Sequence, residues 1–276
     1  MSHILIAGLG DLGGGLARAL SDEGHSISAI RRSPRAPRGV QVYAQDLVRD
    51  TPLLPPEPVD LLVIVMTPSE YSEAGYRAAY LTAPGRLLDA LAQRQPLPPT
   101  LFVSSTAVYG DLQGDVDEDT SPVPRRYNGQ VMLAAEEAIS ARAPSTAVRF
   151  SGIYGPGRTR LLRKVEQLSQ GQDAPPAPVW TNRIHRDDCV GLLHTLARRW
   201  LAGQTVSPVV LGTDNHPVSN LTVYRYLAEL HGWPLTLEEA PPSGKRLFSR
   251  FIAEGGYRLR YPDYREGYRG LVGGVE

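Results

Sequence analysis

The amino-acid sequence predicts an α/β fold: a doubly wound parallel sheet with a small C-terminal lobe. Three observations predict it. An apolar run, Ile4-Leu5-Ile6-Ala7, stops at a glycine turn that opens directly into a helical pattern. Strand-like and helix-like stretches then alternate as far as Phe150, which argues for parallel strands joined by right-handed crossovers. One of those stretches, Val59 to Met66, is apolar almost without a break, as a strand covered on both faces must be.

The first turn reads Gly8-Leu9-Gly10-Asp11-Leu12-Gly13. Gly8 allows the sharp turn, Gly10 removes the Cβ that would bar a pyrophosphate, and Gly13 lets the helix sit close on the strand. The helix N-terminus adds N–H groups and a partial positive charge for phosphates. The motif follows a strand and begins a helix, the context that supports a dinucleotide-binding unit. Gly8, Gly10, Asp11, Leu12 and Gly13 are therefore the expected cofactor-binding residues of the turn.

Leu12, Leu16, Ala19 and Leu20 recur at helical spacing, and Gly24 stops the helix. Ser26 to Ile30 alternates as a second strand, followed by Arg31, Arg32, Arg35 and Arg38. No Asp or Glu lies between Ser26 and Gln45. A carboxylate there would bind the ribose 2′-hydroxyl of NAD, whereas arginine suits the 2′-phosphate of NADP. NADP is the expected cofactor over NAD, with Arg31 and Arg32 as its ligands. Val40 to Ala44 reads as a third strand, with Asp46 and Leu47 at its end as further cofactor contacts. A proline-rich loop, Thr51 to Pro58, precedes the apolar strand, and one long helix is expected from Ser72 to Arg94. Thr100 to Ser105 is a fifth strand, Gly129 to Ala141 a helix, and Ser145 to Phe150 a sixth strand. Asp111 to Thr120 reads as a mobile loop, and a last helix is expected near Arg246 to Ala253.

Composition narrows the function classes. The 276 residues carry 29 basic and 29 acidic side chains, a formal charge of zero. Nothing in that balance suggests a nucleic-acid or anionic membrane partner. One cysteine, Cys189, excludes an internal disulfide framework and fits a reducing cytoplasm. No apolar run is long enough to span a bilayer. A cytoplasmic protein with a small-molecule substrate is expected; a homodimer is left open. His185 with Asp187 and Asp188 lacks ligand-spaced partners, so no metal site is expected. His194, His216 and His231 read as isolated structural residues.

The fifth strand ends in Phe102-Val103-Ser104-Ser105-Thr106-Ala107-Val108-Tyr109-Gly110, hydroxyls at the carboxyl end of a parallel strand. With GLGDLG at Gly8–Gly13, RFSGIYGPGR at Arg149–Arg158 and NRIHRDD at Asn182–Asp188, the chain resembles the extended short-chain dehydrogenases/reductases of the NAD-dependent epimerase/dehydratase kind. YPDYREG at Tyr261–Gly267 resembles the C-terminal tail of one atypical branch. The resemblance implies a Rossmann-type domain over 1–153, to which 182–211 returns. It implies a smaller substrate lobe over 154–181 and 212–276. It implies that Ser104 touches the cofactor, that Ser105 holds a substrate hydroxyl or carbonyl, and that Tyr127 exchanges the proton. Arg158 and Arg160 either hold a substrate phosphate or lie on the surface, and the resemblance implies a sugar-like, often nucleotide-linked substrate.

The chain departs from that pattern at one catalytic position. The family's lysine, four residues after the tyrosine, lowers the phenol pKa from its usual ~10. Here that position is Val131, and the only lysines are Lys164 and Lys245. Arg125, Arg126 and Gln130 are the nearby candidates to substitute. Two readings follow: an NADP-dependent oxidoreductase or epimerase, or a non-catalytic NADP-binding sensor or interaction protein.

Overall fold

The computed structural model describes residues 1–272. The chain opens with β1 (His3–Ala7), α1 (Asp11–Asp22), β2 (Ser26–Arg31), β3 (Val40–Ala44) and β4 (Leu61–Ile64). Then α2 (Glu73–Arg77) passes through a π turn, Ala78–Thr82, into α3 (Ala83–Ala92). β5 (Thr100–Ser105), a 3-10 turn at Thr106–Tyr109, β6 (Gly114–Val116), α4 (Tyr127–Ser140), β7 (Ser145–Phe150) and β8 (Gly152–Tyr154) follow. Next come α5 (Arg160–Ser169), β9 (Trp180–Thr181), β10 (Arg183–His185), α6 (Arg186–Leu201) and β11 (Val209–Gly212). The chain continues with β12 (Val218–Ser219), α7 (Asn220–His231), β13 (Lys245–Leu247), α8 (Arg250–Ala253) and α9 (Tyr264–Val272).

Seven strands form the main sheet in the order β11-β7-β5-β4-β1-β2-β3. β1 pairs in parallel with β2 on one side and β4 on the other, setting Ile6 opposite Ala29 and Val63. Ile4, Leu5, Ile6 and Leu61 to Ile64 are wholly buried, the expected state of central strands in a doubly wound sheet. On α1 the buried face is Leu12, Leu16, Ala17 and Leu20. Gly15 turns towards α6: a Cβ there would lie 2.8 Å from Val190.

The chain divides into two compact units, residues 1–110, 121–149 and 190–210, and residues 111–120, 150–189 and 211–276. In the second unit β8 pairs with β10, β9 with β12, and β6 with β13. Its core gathers Tyr154, Val165, Val223, Leu227, Tyr264 and Tyr268. The division differs from the sequence boundaries at 111–120, 150–153, 182–189 and 211; β6 pairs with β13 and β10 with β8.

Several elements differ from expectation. Asp111–Thr120 contains β6 instead of being a loop throughout, and Glu118 accepts hydrogen bonds from the Leu211 and Arg250 N–H groups at 3.0 and 2.9 Å. The expected last helix begins with strand residues Lys245–Leu247, and its helical part starts after Ser249, whose Oγ accepts from Ile252 N–H. The long helical stretch after β4 runs without a break from Glu73 to Ala92, as expected, with a π turn in its middle. α9 was not expected; Asp263 starts it by accepting from the Arg265 and Glu266 N–H groups at 2.7 and 3.1 Å. His194 is not isolated: its Nε2 lies 3.1 Å from Glu23.

Candidate functional site

In the first unit a cavity of about 530 Å³ opens where the chain leaves β1, β2 and β4. The carboxyl ends of parallel strands are where ligands bind in such sheets. Gly8, Gly10, Arg31, Arg32, Asp46 and Leu47 all line it. The three glycines of the turn do different work. Gly8 has φ +105°, and a Cβ there would lie 2.3 Å from the Val65 carbonyl oxygen. A Cβ on Gly13 would come within 2.0 Å of the Gly8 carbonyl oxygen. Both are demanded by packing. Gly10 has no protein atom within 4 Å of its missing Cβ, so bareness there leaves approach room for a ligand. Gly10 also N-caps α1 without a side chain, so the cradle at the helix start is backbone. These residues fit a dinucleotide pyrophosphate.

Beside the turn, Arg31 Nη1 donates to the Arg35 carbonyl at 3.1 Å, and Arg32 Nη1 donates to Ser69 Oγ at 2.7 Å. Asp46 accepts from the Val48 N–H at 3.0 Å and lies 3.9 Å from Arg49. The segment after β4 supplies residues that sequence reasoning did not name: Thr67, Ser69 and Glu70, then Ala74 and Gly75 of α2 and Ala78 of the π turn. Their spacing becomes a signal only once α2 is known to face the cavity. Asp11, Leu12, Gly13 and Ser104 are not in its lining. Leu12 belongs to the buried face of α1.

Ser104, Ser105 and Tyr127 take separate positions. The Ser104 hydroxyl is buried and donates to Glu136, inside an ion pair with Arg149. Ser105 Oγ caps the 3-10 turn, accepting from the Ala107 N–H at 3.2 Å. Tyr127 starts α4; its hydroxyl donates to the Tyr71 carbonyl at 2.8 Å, and its ring meets Tyr76 edge-on at 5.5 Å. Ser105 and Tyr127 thus each take a backbone partner. Val131 is buried, while Arg125, Arg126 and Gln130 are exposed and stand outside that packing. Among the described residues, no group of three or more His, Cys, Asp and Glu is placed to hold a metal ion, and no helix is long and apolar enough to cross a membrane.

Comparison with known proteins gives the same assignment at the family level. Residues 4–207 match the model of the NAD dependent epimerase/dehydratase family. The Escherichia coli K12 protein YeeZ is 30% identical over 95% of this chain and 97% of its own. A solved structure from Methylobacillus flagellatus, provisionally described as an NAD-dependent epimerase/dehydratase, is 36% identical over 99% of this chain and 98% of that one, with a TM-score of 0.82. MoeE5, solved with UDP-glucose and NAD, shares the fold at 23% identity and a TM-score of 0.76, over 96% and 95% of the two chains. The chain belongs to the NAD dependent epimerase/dehydratase family.

Proposed function

We propose that this member of the epimerase/dehydratase family is a dinucleotide-dependent oxidoreductase or epimerase acting on a hydroxyl or carbonyl of a sugar-like, nucleotide-linked metabolite. The observation that carries the reading is the Gly8–Gly13 turn, with Gly10 open towards a cavity of dinucleotide dimensions. A bound nicotinamide would supply the hydride chemistry. The chain's own part is to cradle the pyrophosphate with the α1 N-terminus and to orient the substrate hydroxyl from Ser105. Tyr127 is the proton carrier; its phenol must leave the Tyr71 carbonyl before it can serve.

NADP over NAD is the finer reading. Arg31 and Arg32 line the cavity and β2 is followed by no carboxylate until Asp46. Against it, the complex of MoeE5 carries NAD, and Asp46 and Glu70 also line the cavity. A titration separates the two. Wild type binds NADPH more tightly than NADH, and replacing Arg31 and Arg32 by alanine weakens NADPH by about 10–100-fold while changing NADH little. Equal losses, or a wild-type preference for NADH, reverse the cofactor choice. Gly10→Ala keeps the melting temperature of the wild type and loses affinity for both cofactors; full affinity in that variant removes the basis of the function.

A second reading, a cofactor-binding sensor without catalysis, is favoured by Val131 at the lysine position and by the engaged Tyr127 hydroxyl. Binding of cofactor without turnover of any nucleotide sugar, in wild type and in Val131→Lys, establishes that reading instead.

A further inference from the structure

Besides His231 Nε2, four polar atoms of the second unit are sealed from solvent with no hydrogen-bond partner among the described residues: Arg183 Nη1, His185 Nε2, Asp214 Oδ2 and the Tyr264 hydroxyl. Their residues are 6%, 2%, 4% and 0% exposed. Each such orphan costs roughly 1–3 kcal/mol, and native folds carry few of them. Four within one unit call for a common explanation.

Arg183 adjoins each of the other three residues. Arg183 and His185 alternate with Ile184 on β10, so both side chains leave one face of the strand, with Cα atoms about 6.6 Å apart. The Arg183 guanidinium carbon lies 5.5 Å from the centre of the Tyr264 ring. The Asp214 N–H donates to the Arg183 carbonyl at 2.8 Å. Arg183 is engaged through Nη2, which donates to Thr181 Oγ1 at 2.8 Å.

Their chemistry is that of donors. His185 Nδ1 accepts from the Asp187 N–H at 3.2 Å, which puts the imidazole hydrogen on Nε2. Burial holds that imidazole below its ordinary value, so it is neutral and Nε2–H is a donor. Arg183 Nη1 and the Tyr264 hydroxyl are donors as well. Asp214 accepts from the His216 N–H at 2.9 Å through its other oxygen, and burial pushes its carboxyl up to about 7. Near neutral pH the fourth atom therefore carries a proton part of the time. A buried guanidinium with two or three further donors on adjoining residues matches an oxyanion.

The cover over this group is the segment 257–268, which contains the YPDYREG stretch. Tyr261 lies 3.9 Å from His185 ring to ring, and Tyr268 stacks on Tyr154 at 4.7 Å. Asp188 fastens the segment by accepting from the Tyr257 hydroxyl and from the Arg260 and Tyr261 N–H groups, at 3.0, 2.6 and 3.0 Å. The Tyr154 and Tyr226 hydroxyls donate to the Asp263 and Arg265 carbonyls at 3.2 and 3.0 Å.

We propose that Arg183, His185 and Tyr264 form a buried oxyanion site, taking the carboxylate or phosphate of a small molecule, over which the segment 257–268 closes. None of these residues lines the glycine-turn cavity, and the proposal does not depend on the dinucleotide reading.

The test uses the full chain, carrying Gly10→Ala so that phosphate at the glycine turn does not contribute. Melting and calorimetry are followed with inorganic phosphate and with acetate, against chloride at matched ionic strength. One of the two oxyanions raises Tm by on the order of 5 °C at about 100-fold over its Kd, and which one does so names the group bound. Tyr264→Phe, which removes a single hydroxyl, weakens that binding about tenfold, and Arg183→Met abolishes it. No shift with either anion overturns the site and leaves ordered water as the partner of the four atoms. A shift that Tyr264→Phe leaves unchanged overturns it equally, whether or not Arg183→Met folds.

Discussion

Two arginines are buried almost equally, one in each unit, and the chain treats them in opposite ways. Arg149, 4% exposed, has a partner at each nitrogen: Nε and Nη2 donate to the two Glu136 oxygens at 3.0 and 2.6 Å, and Nη1 donates to the Tyr109 hydroxyl at 2.8 Å. Burial works against its charge, but the bonds to Glu136 outweigh it and hold its pKa above the ordinary value. The pair ties β7 to α4, and through Ser104 to the end of β5. Arg183, 6% exposed, has donor capacity beyond what the described residues satisfy, beside a carboxyl that is likewise half-satisfied. Burial alone does not tell a strut from a site; the count of satisfied donors does.

The comparison breaks most visibly at the strut. Arg149→Met leaves the Glu136 carboxylate buried and unpaired, and costs about 3–5 kcal/mol in urea unfolding. A loss under 1 kcal/mol means that the pair does not hold the three elements together. Next in size is a pH effect from Asp214. Its folded pKa is raised to about 7 from the ordinary carboxylate value of ~3.9, so the folded state binds the proton more tightly. Its contribution is fully present below about pH 4 and is lost as pH rises through 7, by roughly 4 kcal/mol in all. Asp214→Asn removes that slope; parallel stability profiles of wild type and variant between pH 4 and 8 contradict it. The smallest effect is at Arg183. Because no carboxylate hydrogen-bonds its guanidinium among the described residues, Arg183→Met changes stability by about 1 kcal/mol or less. A loss as large as that of Arg149→Met erases the distinction between the two arginines.

Much of the first unit was legible in the sequence. Ile4 to Ala7, the glycine turn and the Leu12, Leu16, Leu20 stripe are short-range patterns, and they lie where the periodicity puts them. Six of the expected cofactor contacts line the cavity: Gly8, Gly10, Arg31, Arg32, Asp46 and Leu47. Ser104 does not, because its hydroxyl answers to Glu136, 32 residues away. Thr67, Ser69 and Glu70 enter the cavity because β4 sits beside β1, a neighbour relation that no local window contains. The second unit was less legible. Its strands are two or three residues long, too short for a period of two to register, and they pair across wide separations: Lys245 to Leu247 with Gly114 to Val116.

By itself, then, the sequence determined the βα alternation, the turn that admits a phosphate, the arginines beside it and the want of a lysine at Val131. Each of these is written in consecutive residues, since helix period, strand burial and glycine geometry act over a few positions. Only the tertiary structure decided which polar side chains find partners. Arg149 and Arg183 look alike as letters, each on a strand beside an aliphatic residue, Val148 and Ile184. One meets a glutamate on α4, and the other meets donors and a proton-holding carboxyl beneath the C-terminal segment. Whether a buried charge is a strut or a site depends on which groups long-range pairing brings within 3 Å, and that distance is set by the fold.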